Sequence, residues 1–185
     1  AVYQDLGNLI YSVIIPDAYG ISNDVVKMYE TMINPVLLAF KKLGVKAESP
    51  GLNDVEINNR KVLGSAAGLR EGFVLFHATM LIRSNLDMLA KVLKVPRAKL
   101  QDKGVTQVGH RVGNVYDLTG KDMDEVKEAL LKGYSEYLGF EYYKDELTER
   151  ELRLAEYLYH NKYNRPEWVF GREFINVEIP RELIE

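Results

Sequence analysis

The stretch "NNRKVLGSAAGLREGFVLFHATML", residues 58–81, decides the fold. Asn58 and Asn59 form a pair that tolerates the positive φ of a tight hairpin turn, so "NDVEI" before it and "KVLGSAAGL" after it read as short strands. "REG" is the next turn and "FVLFHATMLI" is the strand it feeds. An antiparallel meander follows. Within it, Lys61 stands just ahead of the small residues Gly64, Ser65 and Ala66, and His77 comes after the second turn.

Working outward, "NLIYSVIIP" is an apolar run rich in β-branched residues and closed by Pro16, which predicts a buried strand. "SNDVVKMYETMINPVLLAFKKLG" predicts a helix with Ser22 as candidate N-cap and Gly44 as its stop, and Pro35 removes one backbone donor inside it. The second half turns helical. "DMDEVKEALLKGYSEYL" places Met123, Val126, Leu130, Tyr134 and Tyr137 at helical spacing, and "TERELRLAEYLYHNKY" carries Thr148 and Glu151 as a capping box. Both helices read as scaffold. The fold class is therefore α+β, a mixed, largely antiparallel sheet flanked by helices.

Composition narrows the function. A chain of 185 residues, 46% hydrophobic and 28% charged, fits one domain spanning 1–185 with its own core. Its formal net charge is -3 with no clustered basic stripe, which argues against nucleic acid as the primary partner. No apolar run approaches the roughly 20 residues that span a bilayer, and no targeting segment is legible, so a cytoplasmic protein without a membrane partner is expected. The cysteine count is zero, which excludes thiolate metal sites and a cysteine nucleophile. The chain opens "AVYQDLGNLIYS", with no initiator Met, as though upstream sequence were missing.

Several residues invite a chemical reading, and each has a bland one. Lys61 precedes small side chains that let a ligand approach the backbone, so its ammonium could meet a bound anion; equally, it reads as a strand-edge lysine in water. Asn53 and Asp54 suit a ribose hydroxyl, or Mg²⁺ shared with phosphates; equally, they read as a turn pair. His77, between Phe76 and Ala78, reads as a core histidine satisfied by a partner or as a group beside a ligand. His110 and His160 show no metal-ligand spacing, and no glycine loop of the Walker type is present.

Taken in order, "AVYQDLGNLIYS", "LNDVEI", "RKVLGSA" and "HATMLI" resemble the catalytic domain of lipoate-protein ligases, in the biotin/lipoate ligase superfamily. The likeness continues through "NLDMLAKVLKVP", "RVGNVYDLTG" and "KYNRPEWVFG". It implies the superfamily's catalytic core, related to class II synthetases, lacking about 70 residues at its start by comparison with usual domain sizes. It implies that Ala1, Val2 and Tyr3 line a nucleotide site. It implies that Asn53 and Asp54 contact the nucleotide or its Mg²⁺, with Asp54 the metal ligand. Lys61 would be the catalytic lysine, Gly64, Ser65 and Ala66 the floor, and His77 and Ala78 neighbours of the acyl chain or phosphate. Phe76 and Met80 would line an apolar tunnel. The histidine the family carries after the aromatic residue is Gln4 here, which cannot take a proton near neutral pH.

The reaction implied is ATP-dependent activation of lipoate to lipoyl-AMP, then transfer to a lysine of a lipoyl-accepting protein. Such acceptors are the E2 subunit of 2-oxoacid dehydrogenases and the glycine cleavage H protein. The alternatives are a non-catalytic subunit that binds the adenylate or the acceptor, and a related biotin or octanoyl ligase. Superfamily transferases that use a thioester need a cysteine, so adenylate chemistry is what remains. The resemblance also implies a separate protein carrying an accessory domain, because the chain stops soon after Trp168 and Gly171.

Overall fold

The computed structural model describes residues 3–17, 21, 24–93, 111–171 and 175–184. Its contacts group the chain into two compact units, residues 1–142 and 143–185. In the first unit, β1 (Asn8–Pro16), β2 (Asp54–Ile57), β3 (Arg60–Arg70) and β4 (Phe73–Leu81) make a four-stranded sheet in the order β1-β4-β3-β2, with every pairing antiparallel. Both hairpins turn as the sequence predicts. Asn58 and Asn59 take φ of 51° and 60°, Glu71 and Gly72 take 53° and 80°, and these left-handed pairs match the twist of the flanking strands.

One face of the sheet is core. Val74, Phe76, Ala78 and Met80 alternate inward along β4, none more than 1% exposed, and Leu63 and Val55 continue the layer across β3 and β2. Against them pack α1 (Val25–Lys42), through Met32, Val36 and Phe40, and a later helix, Met123–Leu138, through Val126, Leu130 and Tyr134. Burying a side chain of this size stabilises the fold by about 1.5–3 kcal/mol. Phe76 and Met80 are therefore core residues and line no tunnel, which corrects the expectation drawn from the resemblance. Ala78 needs the same correction. Its strand phase is that of Phe76 and Met80, so its methyl faces the helices.

Caps fix the helix ends. Asp24 begins α1 by accepting from the Lys27 N–H at 3.0 Å, while the expected cap, Ser22, lies outside the described residues. The helix runs on through Pro35, and Gly44 follows it at φ 73°. After β4 in the chain come α2 (Leu86–Val92) and α3 (Val115–Thr119), and Met123–Leu138 is α4. A capping box of Asp122 and Glu125 opens α4, and Gly139 closes it at φ 72°. At Gly133 a side chain would run into the Pro35 carbonyl, so α1 and α4 approach closely there.

The second unit holds α5 (Glu149–Leu158), a π turn (Tyr159–Tyr163) and α6 (Pro166–Val169). Thr148 and Glu151 form the expected capping box. Tyr157 donates to the Glu178 carbonyl at 2.9 Å, and the Tyr163 and Trp168 rings meet edge to face at 5.3 Å. No residue of α5 is buried. Among the described residues no helix is long and apolar enough to cross a membrane.

Candidate active site

The open face of the sheet carries the site. A cavity of about 390 Å³ is lined by Tyr3 and Asn8 from the first segment, Asn53 just before β2, Lys61 and Gly64–Ala66 from β3, and His77 and Thr79 from β4. Leu81, Leu89, Leu93 and Val112 make an apolar wall. Hydrocarbon with a few polar groups among it is the usual make-up of a small-molecule site.

Lys61 reaches this cavity because β3 is bulged. Val55 pairs with Leu63 but Glu56 pairs with Lys61, so Val62 is an extra residue that shifts the strand's phase. Val62 turns inward at 0% exposure, and Lys61 turns to the open face beside Gly64. The backbone there is clamped from a second side: Lys61 N–H donates to the Arg111 carbonyl at 2.9 Å and Gly113 N–H donates to the Lys61 carbonyl at 3.0 Å. At the tip of the side chain, Lys61 Nζ lies 2.6 Å from Asp54 Oδ1, with the two side chains 31% and 21% exposed. Of the two readings of Lys61, the water-facing edge residue is not what the structure shows. Its ammonium is half-buried, ion-paired and inside a cavity shared with His77 and Tyr3.

Asn53 is locked to β3. Its carbonyl accepts from both the N–H and the hydroxyl of Ser65, each at 2.9 Å, and its amide donates to the Ser65 carbonyl at 3.1 Å. The Asn53–Asp54 segment is thus held against the strand that carries Lys61. His77 is not a core histidine. Phe76 and Ala78 face inward, so strand alternation puts His77 on the open face, where its Nδ1 lies 3.0 Å from the Ser12 hydroxyl of β1.

The first segment is organised by Asp5. Its carboxylate accepts from the Asn85 N–H at 2.8 Å, the Tyr3 hydroxyl at 2.9 Å and the Gly7 N–H at 2.8 Å. Those bonds, the one from Asn85 foremost, hold the Asp5 carboxyl below its ordinary range, and the bond to Asp5 raises the Tyr3 phenol above its own. Asn8, one of the lining residues, accepts from the Asp5 N–H through its Oδ1 at 2.8 Å, and its Nδ2 is buried without a hydrogen-bond partner. An orphaned buried donor is expensive unless something binds it.

Lys61, Asn53, Gly64, Ser65, Ala66, His77 and Tyr3 therefore line one cavity, Asp54 reaches it only through its ion pair with Lys61, and Ala78 lies on the core side. Ala1 and Val2 lie outside the described residues, as does His110. Gln4 is exposed. Asn8 and Asp5 are not singled out by the sequence, although both sit in the "QDLGN" that leads into β1. The signal was a short polar side chain beside Gly7, where only a glycine fits against the Arg83–Ser84 backbone.

Among the described residues no group of three or more His, Cys, Asp or Glu could hold a metal ion. Asp54 could supply one carboxylate. That fits Mg²⁺, which commonly takes one or two protein carboxylates and completes its shell with phosphates and water. Chemically, the arrangement offers a fixed cation and amide donors to an anion lying on a floor without bulky side chains.

Residues 1–135 match the family model described as lipoyl protein ligase A/B catalytic domain. The chain is 39% identical over 181 residues to lipoate-protein ligase A subunit 1 of Thermoplasma acidophilum, covering 92% of this chain and 68% of that one. It is 33% identical over 174 residues to lipoate-protein ligase 1 of Staphylococcus aureus, covering 93% of this chain but 51% of that one. It thus spans about half the length of the longer relative. Among solved structures, a bipartite lipoate protein ligase of T. acidophilum, described with its E2 lipoyl domain, superposes with a TM-score of 0.83 at 39% identity, over 96% of this chain and 69% of that one. A lipoate-protein ligase A bound with ATP gives 0.78 at 35% identity, over 92% and 68%. A T. acidophilum lipoate protein ligase with bound lipoic acid gives 0.76 at 34%, over 92% and 67%.

Proposed function

The chain belongs to the lipoyl protein ligase A/B catalytic-domain family, and on that premise we propose that it activates lipoate with ATP to lipoyl-AMP and transfers the acyl group to a lysine of a lipoyl-accepting protein. One observation carries the reading: the Lys61 ammonium, paired to Asp54 at 2.6 Å, lies over Gly64 in a cavity it shares with His77 and Tyr3.

In the first step a lipoate carboxylate oxygen attacks the α-phosphorus of ATP, and the bond to the β-phosphate oxygen breaks to release pyrophosphate. In the second, the acceptor's neutral amine attacks the acyl carbonyl, AMP leaves, and the nitrogen gives up a proton as the amide forms. Negative charge grows first on phosphoryl oxygens and then on the carbonyl oxygen. A single preorganised cation between the two positions serves both. Asp54 holds the Lys61 side chain against Gly64, so that little reorganisation is needed when a substrate oxygen takes its place beside the ammonium. If Mg²⁺ accompanies the nucleotide, Asp54 is the residue that would hold it, and the ion would neutralise pyrophosphate charge.

Residues 1–185 would together form one catalytic domain, with a separate polypeptide supplying an accessory domain, as the bipartite relative supports. The test mixes the chain with Mg²⁺-ATP, lipoic acid and an E2 lipoyl domain, with and without such a polypeptide, and weighs the products by mass. Lipoyl-AMP or an acylated lipoyl domain is expected. Neither product under either condition would overturn the reading.

A further inference from the structure

On its open face β1 presents Ile10, Ser12 and Ile14, with the two isoleucines 43% and 64% exposed. Ser12 is a hydroxyl between two hydrocarbon neighbours, and the register sets it directly opposite His77. Directly opposed side chains in an antiparallel pair stand about 5 Å apart at Cβ, close enough for a serine to reach a ring nitrogen. The contact is made, with Ser12 Oγ at 3.0 Å from His77 Nδ1. On the other side of His77, β3 offers Ala66, which has no polar side-chain atom. Of its cross-strand neighbours, only Ser12 addresses the ring.

We propose that Ser12 is a positioning residue for this site: its hydroxyl donates to His77 Nδ1, which fixes the proton on Nε2 and makes His77 a hydrogen-bond donor to the acyl oxygen in the cavity. A serine carries one proton, and spending it on Nδ1 leaves the ring's own proton on the far nitrogen. That is also the tautomer a free imidazole prefers, so the contact reinforces an existing bias. Nε2 then points away from β1 with a proton to give. Together with the Lys61 ammonium it forms a pair of donors, matched to an oxygen that gains negative charge. His77 in this state has no lone pair on Nε2, so it cannot take the proton from an attacking amine. The proposal rests on the ligase reading for the identity of the acyl group, whereas the tautomer itself does not depend on that reading.

Long-range ¹H–¹⁵N spectra of the ¹⁵N-histidine-labelled chain test it, with His77 assigned through a His77→Asn variant. The wild type is expected to show an unprotonated Nδ1 and a protonated Nε2. Ser12→Ala is expected to move toward a mixture of tautomers, and Ser12→Thr, which keeps the hydroxyl, is expected to restore the wild-type pattern. A wild type with its proton on Nδ1, or an Ser12→Ala spectrum with the wild-type ratio, overturns the proposal. Lipoic acid is then titrated in. The Nε2 proton is expected to shift in the wild type and to shift less in Ser12→Ala, and equal shifts overturn the positioning role. If lipoic acid moves no resonance of any cavity residue, the substrate reading fails while the tautomer ratio still decides the claim about Ser12.

Discussion

Lys61 and Gly64 face the same side of one strand, although a regular β-strand would put residues at that spacing on opposite sides. The bulge at Val62 makes the difference. It brings Lys61 Nζ and Cε to 3.0 Å from the position a Gly64 Cβ would occupy. The glycine is therefore the bed on which the lysine lies.

Gly64→Ala tests that relationship. The added methyl meets the flexible end of a lysine and no backbone, so the fold should stand and the ammonium should move. A rate loss of roughly tenfold or more is expected with the thermal midpoint little changed, because small misplacements of catalytic groups are costly. Unchanged turnover, measured beside unchanged melting, would contradict the account.

Asp54→Asn removes the charge that holds Lys61 while keeping the side chain's shape. Turnover should fall, and excess magnesium should not restore it if pinning the ammonium is the larger of Asp54's roles. Activity that returns to wild type as Mg²⁺ is raised would assign Asp54 chiefly to the metal.

Asn114 predicts a stability effect with no catalytic contact. Its Oδ1 accepts from the Ser84 N–H at 2.9 Å and its Nδ2 donates to the Ser84 carbonyl at 3.0 Å, so a buried side chain imitates a paired strand. Asn114→Ala orphans both backbone groups. A loss of about 2–4 kcal/mol in denaturant unfolding is expected. A loss below about 1 kcal/mol would show that water replaces the amide.

Acid should loosen the first segment. The Asp5 carboxyl is held low by the bonds from Asn85, Tyr3 and Gly7, so its stabilisation is present above the pKa of the unfolded chain and fades as pH falls through the lower folded value. Wild type and Asp5→Asn should therefore differ in melting at neutral pH and converge in acid. A difference that stays constant down the acid limb would remove Asp5 as the cause.

These residues also show what the sequence could tell. Asn58-Asn59 and the "REG" turn were legible because positive φ is a local demand met by few residues. Alternation along "FVLFHATML" was equally local and, taken strictly, already separates His77 from Phe76, Ala78 and Met80. The resemblance placed Ala78 beside the ligand, and the strand's phase places it in the core. The Val62 bulge was not legible. It depends on the clamp from Arg111 and Gly113, which are distant in sequence, and no pattern within "RKVLGSA" announces it. Asn8 and Asp5 were hidden for a related reason, since their partners include Asn85 and their value lies in bonds left unmade as much as in those made. The capping box at Thr148 was legible, whereas the exposure of the helix it opens was not, because caps are local and burial is not.

The most direct measurement is lipoyl-AMP formation by Lys61→Ala beside the wild type, under whichever condition makes the wild type active, with thermal melting of both. Removing a preorganised cation from the developing charge should cost about 3 kcal/mol or more, a fall of roughly two orders of magnitude or more in adenylate production, with the fold intact. A variant that melts like the wild type and makes adenylate at a near-normal rate would contradict the claim that this ammonium carries the chemistry.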